Sequence, residues 1–300
     1  MSRARLTREL IAEGYSHSEL AQQQRAGQLH HLRRGAYAAG NLDDPALRHL
    51  RLVEATVRLA APDAVVSHLS AAVVHGLPVF APFPERVQLT RTGISSGKVR
   101  GGIHLHATSL DPSEVLVANG IRVTGLARTV VDVGRTVSFN QAVVTGDAAR
   151  RRGLSPSEIE ECLERSARRP GLTQARRVAG FLDPLSESPG ESLSRIVLHT
   201  LGIDPAVAQY EVHDLEGRLV GRADFGWEQH RTLGEFDGRV KYGRLLKLGQ
   251  TAGDVIYAEK VREDALRDLG WQVVRWTYAD LKTPDVIADR LSRAFARGHR

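Results

Sequence analysis

Asp224 sits within the apolar run RADFGW, and Glu235 follows in GEFDG eleven positions later. That interval is about the length of a β-hairpin crossing from one strand to the next, so the two carboxylates are expected at adjacent strand ends. An acidic residue between Ala223 and Phe225 costs stability in a strand unless it is paired or metal-bound. Glu235 and Asp237 are two apart and share a strand face, with Phe236 on the other, and Gly238 lets the backbone turn or a phosphate approach. A third carboxylate, Glu191, lies on a predicted helix just before these strands. It is either a metal ligand or part of a capping box built from Ser188, Pro189, Gly190 and Glu191, the latter role worth about 1 kcal/mol. Mg²⁺ takes one or two protein carboxylates and fills its other positions with water and substrate phosphate, so few acids suffice for phosphodiester chemistry.

The order of helix, strand, hairpin and acidic strand resembles the PD-(D/E)XK nuclease superfamily, and most closely its very-short-patch-repair-like branch. Glu191, Asp224 and Glu235 match that core's acidic residue on the first helix, Asp on the second strand and acid on the third. The run AEKVREDALRDLGWQVVRWTYADL, residues 258 to 281, resembles the branch's closing helix and strand, and the likeness covers roughly residues 186 to 298. The position of the family lysine is Asp237. Lys241, six residues after Glu235, and Lys260, on the following helix, are the candidates to supply the ammonium from another direction. The resemblance implies that Asp224 and Glu235 hold Mg²⁺ or Mn²⁺, with Glu191 and Asp237 completing the shell and Lys241 orienting the attacking water. Lys260 and Arg262 are second candidates for stabilising charge at the phosphorus.

The chain's other end carries a different pattern. Leu6, Leu10 and Ile11 form an apolar stripe over residues 3 to 13, and Ser16 with Glu19 makes an S-x-x-E capping box that opens a second helix ending near Gly27. Leu32, Arg33, Arg34, Gly35 and Tyr37 then read as strand, tight turn and strand. Two helices followed by a basic hairpin resemble a winged helix. In that fold Gln22, Gln23, Gln24 and Arg25 face the major groove, where Gln and Arg read adenine and guanine edges, and Arg33 and Arg34 grip phosphates. A solvated helix face, or a protein-docking pair of helices, is the competing reading.

Between these ends, Ser67 is expected to cap a helix that Gly76 closes, and ERVQLTR and GIHLHATSL read as strands. RTGISSGKVRGG, with four glycines and three basic residues in twelve, reads as a mobile exposed loop. Ser155, Pro156 and Glu158 fix another helix start. The winged-helix start and the strings SHLSAAVVHGLPVF, GIRVTGLARTVVDV and GDAARRRGL resemble the AbiEi family, the antitoxin component of a bacterial type IV toxin–antitoxin system, over roughly residues 1 to 180. That resemblance implies operator binding, autorepression and a cognate toxin partner. His104 and His106 share one strand face, and His68 and His75 lie on one helix, but neither pair has a neighbouring acidic ligand, so surface or half-buried histidines are expected. His30 and His31 are placed to assist the wing.

Composition sets outer bounds. A chain of 300 residues with 42% hydrophobic and 25% charged residues is globular and long enough for two or three small domains. Of 41 basic residues only five are Lys, and the formal charge is +6. Arg-rich positive charge suits phosphate, although a high-GC coding bias produces the same excess. The single cysteine, Cys162, excludes an internal disulfide and reads as a core thiol. With no signal-like apolar start and no membrane-length run, a cytoplasmic protein is expected. The expected architecture is multidomain α/β and α+β: a winged helix-turn-helix at 1–44, a mixed α+β middle domain at 45–182, and a restriction-endonuclease-like α/β domain at 186–300. The function expected is a DNA-binding protein with a metal-dependent endonuclease-like domain. The alternative is an autorepressor or antitoxin whose nuclease fold is inactive.

Overall fold

A computed structural model describes residues 3–80, 82–203, 206–238 and 252–298. The chain is a mixed α/β protein that divides into two compact units, residues 1–182 and 183–300. Among the described residues no helix is long and apolar enough to cross a membrane.

The first unit opens with β1 (Arg5–Leu6), α1 (Thr7–Ala12), α2 (His17–Arg25), β2 (Leu29–Arg33) and β3 (Ala36–Ala39). Residues 5 and 6 are therefore strand rather than the start of a helix: they pair with Tyr37 and Ala36, so that β3 is central in a three-stranded antiparallel sheet. Ser16 caps α2 as expected, its Oγ accepting the Glu19 N–H while the Glu19 carboxylate accepts the Ser16 N–H. Leu10, Leu20 and Leu29 close the small core beneath the two helices, whereas Ile11 faces solvent. This segment belongs to the same unit as the one after it. Glu54 accepts the Ala4 N–H, and Arg58 donates to the Ala4 carbonyl.

Those two residues lie on or just beyond α3 (Pro45–Val57), which leads into β4 (Val65–Val66), α4 (His68–Val74), β5 (Val87–Arg91), β6 (Lys98–Arg100), β7 (Ile103–Ala107), β8 (Val115–Ala118) and β9 (Ile121–Thr124). The strands form one six-stranded sheet in the order β6-β7-β5-β4-β9-β8, with β5/β7 and β4/β9 parallel. The glycine-rich stretch read as a loop thus contributes an edge strand, Lys98–Arg100, paired to β7. Val53, Val66, Val87, Leu89 and Val123 make the core between α3 and the sheet. Four helices follow: α5 (Leu126–Thr136), α6 (Phe139–Arg151), α7 (Pro156–Arg165) and α8 (Leu172–Ala179), with α5 packed against the other three and α4. Ser155 and Glu158 cap α7 reciprocally, and Cys162 on that helix is fully buried. Burial and the neighbouring Glu114 carboxylate push its thiol up to about 12.

The second unit runs α9 (Pro189–Thr200), β10 (Val207–His213), β11 (Leu219–Trp227), β12 (Thr232–Asp237), α10 (Ala252–Asp268), β13 (Gln272–Thr277) and α11 (Pro284–Gly298). The sheet order is β10-β11-β12-β13, with β12 and β13 parallel. A parallel pair needs a crossover, and α10 supplies it. Period-two alternation sends Phe225, Trp227, Val274 and Trp276 into a core with Leu198 of α9 and Ile287 and Leu291 of α11. Leu233 and Val273 point the other way, with Leu266 of α10. Trp276 Nε1–H donates to Ser194 Oγ at 2.7 Å, tying α9 to β13 inside the first of these cores.

Candidate functional site

Strand register decides which of the sequence-predicted carboxylates meet. Ala208 pairs with Phe225 and Tyr210 with Ala223, which brackets Gln209 opposite Asp224. Phe225 pairs with Gly234, so one step further Asp224 lies opposite Glu235, and Glu235 in turn pairs directly with Arg275. One row therefore crosses all four strands: Gln209, Asp224, Glu235, Arg275. The middle pair was expected at adjacent strand ends; Asp224 instead lies inside β11, and only Glu235 is near the end of its strand. Gln209 enters the row with a left-handed backbone, φ +53°, a conformation that non-glycine residues rarely adopt.

Glu191 joins the row through Gln209. Its Oε2 accepts from the Gln209 side-chain amide at 2.9 Å and from the Glu187 N–H at 2.8 Å, and its Oε1 accepts from the Ser188 hydroxyl at 2.6 Å. Ser188 is the N-cap of α9 and its Oγ accepts the Glu191 N–H at 3.3 Å. Ser188 thus caps α9, but the buried Glu191 carboxylate takes the Glu187 N–H in place of the reciprocal Ser188 N–H that a capping box would give it. Gly190, just before it, is set by the Phe236 ring, which occupies the space a Cβ would need.

Asp224 Oδ2 accepts the Phe236 N–H at 2.7 Å, a side-chain bond where the β11/β12 ladder opens. Glu235 is held more tightly. Arg262 Nη2 donates to its Oε1 at 2.6 Å and Arg275 Nε donates to its Oε2 at 2.8 Å. Both guanidiniums also reach Glu259 Oε1 at 2.6 Å, and Arg275 bonds Glu263, so the centre of the row is a network of two arginines and three glutamates. Hydrogen bonds from Arg262 hold the Glu259 carboxyl below its ordinary range. The Arg262 guanidinium is raised by its bonds to Glu259 and Glu235, and that of Arg275 by Glu235 and Glu263 against the opposing effect of burial. Lys260 is exposed on α10, and it is Arg262, one half-turn on, that reaches the strand. Asp237 ends β12, half-buried. Lys241 lies outside the described residues.

For a divalent metal this donor set does not fit as arranged. Each oxygen of Glu191 and Glu235 already accepts a charged or polar donor, and one oxygen of Asp224 holds a backbone N–H. Among the described residues no three His, Cys, Asp or Glu side chains come together as a metal site. The sequence reading of residues 258 to 281 as a closing helix and strand assigned Arg275 no role and missed that it spans Glu235, Glu259 and Glu263; the alternation of Val274 and Trp276 around it was the available signal that it faces the opposite side.

In the first unit, Gln22, Gln24 and Arg25 are exposed on α2 and Gln23 is half-buried. The structure separates the arginine pair of the hairpin. Arg34 is exposed at the turn, whereas Arg33 turns inward, its Nη1 donating to Thr56 Oγ1 at 2.8 Å and its Nη2 to the Gly101 carbonyl at 3.3 Å. Burial pulls the Arg33 guanidinium below its ordinary value. His31 is exposed and its ring meets the edge of Tyr37.

No family model matches the chain. Two uncharacterized proteins of Mycobacterium tuberculosis, Rv2248 and MT2308, are each 30% identical to it over 181 residues, 60% of this chain and 64% of theirs. The chain thus spans less than two thirds of these relatives. The crystal structure of the RV2827C protein from Mycobacterium tuberculosis is similar over 71% of this chain and 84% of that one, with a TM-score of 0.39 and 14% identity.

Proposed function

We propose that the chain is a DNA-binding regulator that reads DNA through α2 and the β2/β3 hairpin, and whose second unit has a nuclease-like strand order with an arginine-locked acidic row. The observation that supports DNA binding is the exposed polar face of α2, Gln22, Gln24 and Arg25, beside a hairpin whose tip is Arg34. Glutamine and arginine side chains on a helix beside a basic wing can hydrogen-bond base edges and phosphates at once. The winged-helix reading is supported by β1, which pairs with β3 and adds a third strand to the hairpin, and by Leu10, Leu20 and Leu29, which pack the two helices against it.

The regulator reading is preferred to the nuclease reading because of Glu235. Its two oxygens are neutralised by Arg262 and Arg275, and the position that a lysine takes in active relatives of the fold is Asp237. One observation keeps metal-dependent cleavage as the second reading: Asp224 and Glu235 do stand opposite each other across β11 and β12. Mg²⁺ or Mn²⁺ there requires the arginines to swing away. A toxin partner belongs to the antitoxin resemblance, which also makes the DNA upstream of the chain's own reading frame the first site to test.

The experiment is fluorescence anisotropy on that DNA, with wild type beside Gln22→Ala/Arg25→Ala and Arg34→Ala, run in parallel with nicking of supercoiled DNA in Mg²⁺ and in Mn²⁺. The expected result is binding, a loss of tenfold or more in the double variant, and no nicking. Metal-dependent nicking that disappears in a folded Asp224→Ala protein would establish the second reading. Absence of any DNA binding would sink both.

A further inference from the structure

A second set of chemistry-bearing groups lies in the first unit, away from the α2 face. The β6/β7 edge of the sheet, the start of α4, the end of α5 and the segment 168–170 line a half-open cavity of about 520 Å³. Lys98, Arg135, Arg168 and Arg169 line it together with His68, His104 and His106, and its lining includes no carboxylate. A volume of this order is typical of small-ligand sites.

The floor is a built arrangement. His68 stacks on His106 with ring centroids 3.8 Å apart, and His106 on His104 at 4.0 Å. His68 is buried and takes a left-handed backbone, φ +55°, the first residue of α4. Ser67, expected to cap that helix, instead places its Oγ 2.9 Å from His68 Nδ1 and accepts the Thr90 hydroxyl. Strain of this kind persists where the surroundings fix it, and it clusters at ligand sites. His106 Nε2 is buried with no hydrogen-bond partner. Stacked rings cannot converge on one metal ion, so the histidines serve as neutral platforms and N–H donors. Burial holds His68 near 4 and His106 near 3, which leaves both uncharged at neutral pH.

The positive wall has one member fixed and one at hand. Arg135 is oriented by Asp132, whose other oxygen takes Arg128, and by the Pro170 carbonyl. Arg168, exposed at the rim, also sits at positive φ, +68°. Guanidinium forks match phosphate oxygens, and a flat stack of rings beside them suits a planar group carried by the same ligand.

We propose that this cavity binds a small phosphate monoester, with the phosphate held by Arg135, Arg168 and Lys98 against the His68–His106–His104 stack. The test is calorimetric titration of the full chain with a purine mononucleotide, inorganic phosphate and the matching nucleoside. Wild type is compared with a Lys98→Gln/Arg168→Asn double variant. Both positions are exposed, and asparagine tolerates the left-handed backbone at 168, so the variant keeps its fold; circular dichroism checks this. The expected result is binding of mononucleotide and no binding of nucleoside, with affinity falling tenfold or more in the variant. Inorganic phosphate binding as well as the mononucleotide would show that the phosphate alone is recognised, which supports the site and narrows its ligand. No binding of either phosphate probe to wild type, or equal binding by the folded variant, would overturn it.

Discussion

Arg275 stands directly across the parallel β12/β13 ladder from Glu235 and donates to its carboxylate at 2.8 Å. A carboxylate in a metal site repels its acidic neighbours until the ion arrives; this one is already compensated, by Arg275 and by Arg262 on the crossover helix. Glu235→Gln is therefore expected to destabilise the second unit, by about 1–3 kcal/mol for a half-buried charged hydrogen-bond pair. Urea denaturation in EDTA measures it. A variant more stable than wild type in the absence of metal would point instead to a repelled acidic cluster.

Gly190 precedes Glu191 on α9, and the Phe236 ring fills the space where its Cβ would stand. Phe236 is packed against the α9/α11 core and edge-on to Tyr278. Gly190→Ala gains helix propensity, worth up to about 1 kcal/mol, but must displace that ring, and overpacking of this kind costs on the order of 1–3 kcal/mol. The net effect expected is a loss of stability, read by thermal unfolding. A Gly190→Ala/Phe236→Leu double variant should recover part of it.

Acid should weaken the first unit before it affects the carboxylates. His49, hydrogen-bonded to Ser70 and buried, is held near 4 by desolvation, as is His68. The unfolded chain takes up these protons near 6.5, so it binds more protons than the folded chain between about 4 and 6.5. Stability is then complete above 6.5 and falls as the pH drops through that window. At pH 5 the loss is on the order of 2 kcal/mol for each histidine. His106, held near 3 by burial, adds an equal share, so denaturation curves at pH 7.5 and 5.0 check it and His49→Gln should cut the difference by about a third. A flat profile would mean that none of these rings is buried neutral.

Local signals were legible where the physics is local. The capping boxes at Ser16 and Ser155 satisfy N–H groups three residues away, and both close as read. The Asp224–Glu235 opposition was legible because a hairpin converts sequence spacing into register. What escaped the sequence depends on distant partners. Leu6 belongs to an apolar stripe on paper, yet it pairs with Ala36, and Arg5 before it with Tyr37. Lys98–Arg100 is hidden among glycines and is strand only because β7 is beside it. Glu235 finds its arginines 27 and 40 positions on, and His68 stacks not on its helix mate His75 but on His106. Charges and imidazoles announce themselves in a sequence; their pairing is tertiary.

Arg33 and Arg34 are neighbours with opposite duties, and substitution should separate them. Arg33 donates to Thr56, which is buried on α3, and to the Gly101 carbonyl between β6 and β7. Arg33→Ala removes both bonds and leaves the Thr56 hydroxyl without its donor, so a loss of about 1–3 kcal/mol is expected, with DNA affinity falling only as far as folding does. Arg34 is exposed at the turn. Arg34→Ala should leave stability within about 0.5 kcal/mol, and if Arg34 meets a phosphate it should reduce the slope of log affinity against log salt by about 1. Parallel melting curves and anisotropy titrations across a salt series read both effects. An Arg34→Ala protein with an unchanged salt slope would move the phosphate contact off the hairpin.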